Sequence, residues 1–542
     1  MHKSAQKLSP KTKADMRIKL LILSLLLFLV NSQLIKPQNP GDSIFAGIKV
    51  HDINIHFYYT NYWDSLVYYY NLGTEIHIPA DVILGDDTLE NVGIRLKGQS
   101  SFNHPNNKKS IRLSFDEFES SLRWDGLKSI HLNNCYGDPT FMREKVYLDF
   151  CRDAGIVAPR ANYARVFFND TLYALYSLVE HVDKTFLSTR FGNKNGDLFK
   201  AVDAFGVGDT ISDFKWFTSI PDSYYFRYEL KTDESTTAWL QLVNFLDSLN
   251  NGVNTSAILP SYLNLDSFYT SIAGDIIFAN LDSYINSGRN FYFYFNPATN
   301  KIEWIKWDVG LSFGCYSGGI SNFENLSVTH VLNSSERPLF GKILTTNSLK
   351  NDYLYSLCTL NSSYFNTTKM FQHIDSIASV IRSYVYADSK KQYTNTQFEM
   401  NILSDLSVAG VGGTSRIPGL KSFLTARKNS INAQLTNLGI NCTTDLEEEK
   451  ASTIPNEYKL YQNYPNPFNP ATTIKFDVPA SGLVCLKVYN ILGKEVKTLM
   501  NEYKNAGSYS VSFDAEGIAS GVYLCQLKSG STVLTKRMVL IK

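Results

Sequence analysis

Residues 266–314, DSFYTSIAGDIIFANLDSYINSGRNFYFYFNPATNKIEWIKWDVGLSFG, constrain the fold of this chain more than any other stretch. Phe268, Ile272, Ile276, Ile277 and Leu281 recur close to a helical period, which predicts a helix with one buried face. A polar loop follows; it carries Asp282 and ends at Asn290. Phe291–Phe295 and Ile302–Trp307 are aromatic and β-branched runs split by a turn cluster at 296–300, which predicts a hairpin. Asp308 leaves the second strand at once. An acid and an amide thus precede a hairpin, and a second acid follows it. A carboxylate can accept or orient a hydroxyl proton. An amide oxygen and a second carboxylate offer hard oxygen donors to magnesium. The plainer reading of the same residues is a turn-capping Asp and a solvated Asp at the hairpin exit.

Protein kinases use this order of parts, although the interval from Asp282 to Asn290 is longer than theirs. NLDSYINSGRNFYFYFNPATNKIEWIKWDVGLSFG resembles the spore-coat CotH kinase family in its Asp loop, its Asn-aromatic-aromatic strand and its Trp-Asp segment. Upstream, GIRLKGQSSF (93–102), KKSIRLSF (108–115), the helix and strand pair of 142–187 and GDLFK (196–200) resemble further elements of that family. The resemblance spans roughly 46–440. It implies an α+β, atypical protein-kinase-like two-lobed domain that binds ATP with magnesium, or with manganese as the alternative. Asp282 is then the base or hydroxyl-orienting residue, Asn290 and Asp308 hold metal, and Lys109 or its neighbour Lys108 contacts phosphates. Two positions depart from the family. Gly310 stands where a second acid is common, and Arg289 where many relatives carry His.

The preceding region supports the same layout. Ile48–Phe57, Glu75–Leu84, Asn91–Lys97 and Lys109–Phe115 read as strands, with a polar loop at Gly98–Asn107. Kinase-like folds place nucleotide phosphates under such a loop. Gly98 lets the backbone approach an anion, and Ser100 and Ser101 can donate hydrogen bonds. A Gly-Ser turn between strands is also an ordinary turn. Asp138 and Pro139 read as the start of a helix that ends near Gly155. Glu144 on it is a candidate to hold the phosphate-binding lysine, or a solvated surface acid. Asn162–Phe168 and Ala174–Glu180 read as a hairpin that places Glu180 at the connection between lobes, where adenine binds in kinase folds; a salt-bridge role suits it as well. Helical stretches are expected at 233–250, 346–388 and Ser422–Leu438.

The chain ends differ in character. Lys11, Lys13, Arg17 and Lys19 precede the apolar run Leu20–Val30, so 1–32 reads as a secretory signal peptide, too short in its apolar run for a confident span. Residues 33–45 and 441–460 read as linkers. From 461 to 542, YPNPFNPATTIKF, VYNILGKEV, AGSYSVSFDA, ASGVYLCQL and KRMVLIK resemble the type A C-terminal sorting domain of the type IX secretion system. Its strand spacing predicts a small immunoglobulin-like β-sandwich. That resemblance implies export through the periplasm and outer membrane by the type IX machinery, to the cell surface or beyond, with no membrane span once the signal is removed.

Composition narrows the rest. With 52 basic and 51 acidic side chains there is no general electrostatic footprint for nucleic acid. The seven cysteines form no CxxC pair; Cys358 with Cys442, or Cys485 with Cys525, can pair in an oxidising compartment. The leading expectation is a secreted kinase acting on protein Ser/Thr hydroxyls. The alternative is a non-catalytic surface protein that uses a kinase-like scaffold for binding or adhesion, with a surface component as partner.

Overall fold

Alternation of apolar and polar side chains decides the first half of the molecule. In 110–114, Ile111 and Leu113 are buried on one face while Arg112 points to the other, and the neighbouring strands repeat the pattern. The structure is a computed structural model describing residues 39–202, 211–233, 235–413, 415–442, 457–463, 466–504, 506–530 and 532–541. The expected signal peptide lies outside them, as do 33–38 of the first expected linker and 443–456 of the second. The chain divides into two units, one ending at Cys442 and the other beginning at Thr443. Both helices and sheets are well represented, so the fold class is α+β.

The first unit opens with α1 (Asp42–Phe45), β1 (Val50–Phe57), α2 (Tyr62–Asn71), β2 (Ile78–Leu84), β3 (Asp87–Lys97), β4 (Ser110–Ser114) and β5 (Ser129–Asn133). Then come α3 (Arg143–Asp153), β6 (Ala161–Phe168) and β7 (Thr171–Glu180). The strands close into a barrel in the order β1-β2-β3-β4-β5-β7-β6. The closing pair β1–β6 is parallel and every other pair is antiparallel. Ile53, Val92, Ile94, Leu96, Ile111, Leu113, Leu132 and Leu178 fill the barrel. The end of the expected first linker is part of this fold: Ile44 and Phe45 are buried in the same core, and Arg160 pairs with Asp42 at 2.7 Å. The α3 helix begins at Arg143 and not at Pro139. Asp138 instead takes the backbone N–H groups of Thr140 and Arg143 at 2.9 Å each and pairs with the buried Arg143 guanidinium.

A second sheet, β11-β10-β8-β9, is built from β8 (Asp197–Ala201), β9 (Tyr228–Leu230), β10 (Phe291–Asn296) and β11 (Lys301–Lys306). Every residue of β10 is buried, which explains why its aromatic run does not alternate with polar residues. Around it pack α4 (Lys184–Phe191), α5 (Thr236–Asn251), α6 (Thr255–Tyr262), α7 (Leu265–Ile277), α8 (Pro338–Thr345), α9 (Asn347–Thr359), α10 (Thr367–Ala387), α11 (Asn395–Leu403) and α12 (Leu420–Asn437). Asn264 caps α7 by accepting the Ser267 N–H, and Phe268, Ile272, Ile276 and Ile277 are buried on it as their spacing predicts. Of the two cysteine pairs, Cys358–Cys442 is a disulfide.

The second unit holds β12 (Lys459–Leu460), β13 (Ala471–Val478), β14 (Gly482–Asn490), β15 (Glu495–Lys504), β16 (Gly507–Asp514), β17 (Gly521–Ser529) and β18 (Thr532–Leu540). They form two antiparallel sheets, β12-β13-β16 and β15-β14-β17-β18, around one core that includes Phe476, Leu486, Phe513, Leu527 and Met538. The mostly polar β15 lacks the alternation that reveals a strand. Cys485 and Cys525 are both free. Val484, Leu486 and Val488 face the core on β14, so Cys485 lies on the opposite face, whereas Cys525 on β17 is buried. No helix among the described residues is long and apolar enough to cross a membrane.

Candidate functional site

One cleft in the first unit gathers residues that lie far apart in sequence. Its roof is the end of β3, the loop that follows and the first residue of β4: Lys97, Gly98, Ser100, Ser101 and Ser110. Its inner wall is Asn133, Asn134 and Glu144, and its floor is Asp282, Asn290, Asp308 and Gly310. Gly98 turns the chain at φ +85°, and an added Cβ would sit 2.2 Å from Ser101 Oγ. Only glycine holds that turn without strain. The loop then folds as a short 3₁₀ turn over Ser100–Asn103, which Tyr70 secures by donating its hydroxyl to Gly98 O at 2.5 Å and stacking on Phe102.

The floor is positioned by buried polar side chains. Asp275, at the end of α7, accepts from Lys306 at 2.6 Å, Tyr147 at 2.9 Å and Asn280 at 2.8 Å. That cluster fixes the first residues of the 278–290 loop against β11. Arg337, also buried, donates to the carbonyls of Tyr284, at 2.8 Å, and Asn286. Asn290 and Asp308 both have positive φ, +60° and +49°. Left-handed backbone at a non-glycine residue carries strain and recurs at functional sites. Asn290 donates its amide N–H to Asp282 O at 2.8 Å, which leaves the amide oxygen as the atom available to a cation. Asp308, Asn290 and Asp282 thus bring hard oxygen donors to the same cleft, a donor chemistry that suits magnesium carried partly by a phosphate ligand. A Cβ at Gly310 would meet nothing within 4 Å, so the packing of the cleft does not itself demand glycine there.

The roof and wall are electrostatically linked. Lys97 donates to Asn133 Oδ1 at 2.6 Å, and Asn133 donates through Nδ2 to Glu144 Oε1 at 2.9 Å. One amide thus bridges the ammonium and the carboxylate. Burial lowers the Lys97 pKa to about 8, with Asp308 and Glu144 pulling the other way. Burial and then Asp308 raise that of Glu144 to about 7. Lys97 and Glu144 therefore both feel the Asp308 charge.

Seven of the residues singled out from sequence meet in this cleft: Gly98, Ser100, Ser101, Glu144, Asp282, Asn290 and Asp308. Three do not. Lys108 is fully buried and pairs with Asp388 at 2.9 Å, beyond the end of α10, between the rings of Phe141 and Tyr176. Lys109 turns to the outer side, over the Phe102 ring, and donates to Phe102 O. Glu180 is held by Arg160 at 2.7 Å and Arg190 at 2.6 Å, a structural ion-pair cluster. The lysine in the cleft is Lys97. Its signal was the strand parity: Ile94 and Leu96 face the barrel core, so Lys97 faces out at the last position before Gly98. Asn133 gave no signal, because its role depends on the pairing of β5 beside β4.

Comparison with known proteins adds a second kind of observation. Residues 94–431 match the family model described as CotH kinase protein, and residues 462–542 match that of the secretion system C-terminal sorting domain. Inner spore coat protein H of Bacillus subtilis (strain 168) is 27% identical over 293 residues, covering 54% of this chain and 77% of that protein. Among solved structures, the twitchin kinase region from C. elegans aligns over 80% of this chain and 70% of that one. Its identity is 10% and its TM-score 0.18, too low to bear on the fold.

Proposed function

This chain belongs to the CotH kinase protein family, and from that premise we propose that it is an exported atypical kinase with a two-lobed, protein-kinase-like layout. It moves the terminal phosphoryl group of ATP to a protein Ser or Thr hydroxyl. The observation that carries this reading is the single cleft in which Asp282, Asn290 and Asp308 face Lys97 across the Gly98–Ser101 loop. Asp282 orients the acceptor hydroxyl and takes its proton as the new P–O bond forms. The bond between the γ-phosphorus and its bridging oxygen breaks, and ADP leaves with the electron pair. Lys97, kept in place by Asn133 and Glu144, holds the phosphates. The Gly98 turn lets backbone and the Ser100 and Ser101 hydroxyls approach them. Asn290 and Asp308 would hold magnesium, or manganese, which supplies charge neutralisation at the phosphates when bound. Such a reaction depends on positioning and charge, which suits a site built from buried, pre-set side chains.

The test is incubation of the mature chain with magnesium and γ-labelled ATP. Label is expected on the chain itself or on a Ser/Thr-rich acceptor, and Asp282→Ala should reduce it by on the order of a hundredfold or more. Absence of ATP binding with either metal would instead favour a non-catalytic surface-binding protein on a kinase-like scaffold. Export is tested separately. The sorting-domain match supports recognition by the type IX machinery, so deletion of 461–542 should strand the protein in the periplasm. Surface display of that truncated chain, at the level of the intact one, counts against this route.

A further inference from the structure

Strand register arranges the outward face of the barrel in rows. Lys97 lies opposite Ser110 at the roof of the cleft, and two positions back along β3, about 7 Å away, Arg95 lies directly opposite Arg112. Arg112 in turn lies opposite His131 on β5. Ile94, Leu96, Ile111, Leu113, Ile130 and Leu132 fill the barrel, so this row points outward, on the Lys97 side. Like charges directly opposite across a strand pair oppose folding. Arg95 has a counter-charge, Glu75 at 2.6 Å, whose carboxylate also feels Arg112 at longer range. Among the described residues Arg112 has neither a hydrogen bond nor an ion pair, and its Nε is buried without an acceptor, as is that of Arg95. His131 is only 4% exposed; its Nε2 is 2.7 Å from His181 Nδ1, and its own Nδ1 finds no partner. The His131 ring meets the edge of Trp307, the residue before Asp308, with 5.1 Å between centroids.

A partly buried guanidinium beside a second one, with donors unused, is costly in a ligand-free protein. The same planar forks match the oxygens of a phosphate. We infer that Arg112, with Arg95, forms a second oxyanion subsite beside the Lys97 cleft, built to take a phosphate group without a metal. The spacing from Lys97 suits either the far phosphates of a polyphosphate or a separate phosphomonoester. The inference does not depend on phosphoryl transfer, since it concerns binding alone.

The experiment uses the mature chain without magnesium. Titration calorimetry measures binding of tripolyphosphate and, separately, of phosphoserine, at constant ionic strength; tighter tripolyphosphate binding assigns the subsite to a polyphosphate, tighter phosphoserine binding to a monoester. Arg112→Gln should weaken the favoured ligand at least tenfold, and Arg112→Lys should recover part of that loss. Relief of the Arg95–Arg112 repulsion should also raise the thermal midpoint of the ligand-free Arg112→Gln chain by roughly 1–3 °C. Label transfer tests the kinase reading and metal-free anion affinity tests the subsite, so a failed kinase reading and a failed subsite give different results. Affinity that survives Arg112→Gln, or no measurable binding of either anion to the unaltered chain, overturns the subsite. So does an Arg112→Gln chain with a lowered midpoint and unaltered affinity, the mark of a structural arginine.

Discussion

Asp388→Ala is expected to lower the stability of the unit ending at Cys442 by about 3–5 kcal/mol, the usual result of orphaning a buried charge. Lys108 and Asp388 are both fully buried, and they join the start of β4 to the end of α10 across 280 residues of sequence. Asp388 also accepts the backbone N–H groups of Leu175, at 3.2 Å, and Lys390, at 2.8 Å, so its loss strands three donors at once. The paired replacement Lys108→Met with Asp388→Asn removes both charges and keeps an acceptor oxygen. It should fall within about 1.5 kcal/mol of the unaltered chain. Urea unfolding of the four chains of this cycle measures both numbers. A cost under 1 kcal/mol for Asp388→Ala would mean that water reaches the pair.

The second large effect concerns Lys97. Lys97→Met should cut phosphoryl transfer by on the order of 10²–10³-fold, the scale seen when one pre-set donor to a developing negative charge is removed. Lys109→Met should change it less than threefold, because that side chain lies over Phe102 on the outer side. Equal losses would undo the assignment of the phosphate-binding lysine. The same substitution alters the pH profile of stability. The folded pKa of Glu144 is raised from its ordinary 4.5 to about 7, so between those values the native chain keeps a proton that the unfolded chain has lost. Stability from this group falls as pH rises through that window. The folded pKa of Lys97 is lowered from 10.5 to about 8, so above 8 the unfolded chain holds the extra proton and stability rises with pH. Lys97→Met should reduce the rise above pH 8 in thermal unfolding of the ligand-free chain, Lys145 and other lysines with lowered pKa supplying the remainder.

What could be read from the sequence follows from how local each feature is. Asp282, Asn290 and Asp308 were legible because one helix, one loop and one hairpin carry all three within a short stretch whose periodicities are plain. Six of the seven barrel strands were legible from alternation, all but β5, while α7 was legible from its apolar period and the hairpin from its turn residues. Sequence reading pointed to Lys108 and Lys109, which directly precede the strand after the loop, whereas the lysine that lines the cleft ends the strand before it. Strand parity would have set aside Lys109, which shares the inward parity of Ile111 and Leu113, but not Lys108. Nothing local could have revealed that Lys108 belongs to Asp388, or that Asn133 joins Lys97 to Glu144, since each depends on which strands and helices become neighbours. The start of α3 was misplaced for a related reason. Asp138 does gather backbone N–H groups as a cap would, but its carboxylate also binds the Arg143 guanidinium and holds the chain in a turn first.

The disulfide between Cys358 and Cys442 closes a loop of 84 residues that contains α10, α11 and α12. In the chain-entropy picture such a closure is worth about 4–5 kcal/mol. Its position matters more than its strength. Cys442 is the last residue of the first unit, so any cut between 443 and 456 that sheds the second unit creates a new carboxyl end immediately beside a covalent staple. Ends left loose are where fraying and trimming by exopeptidases start. Unravelling from such an end would meet a cross-link before it reached α12, so the staple guards the helices against loss of the second unit.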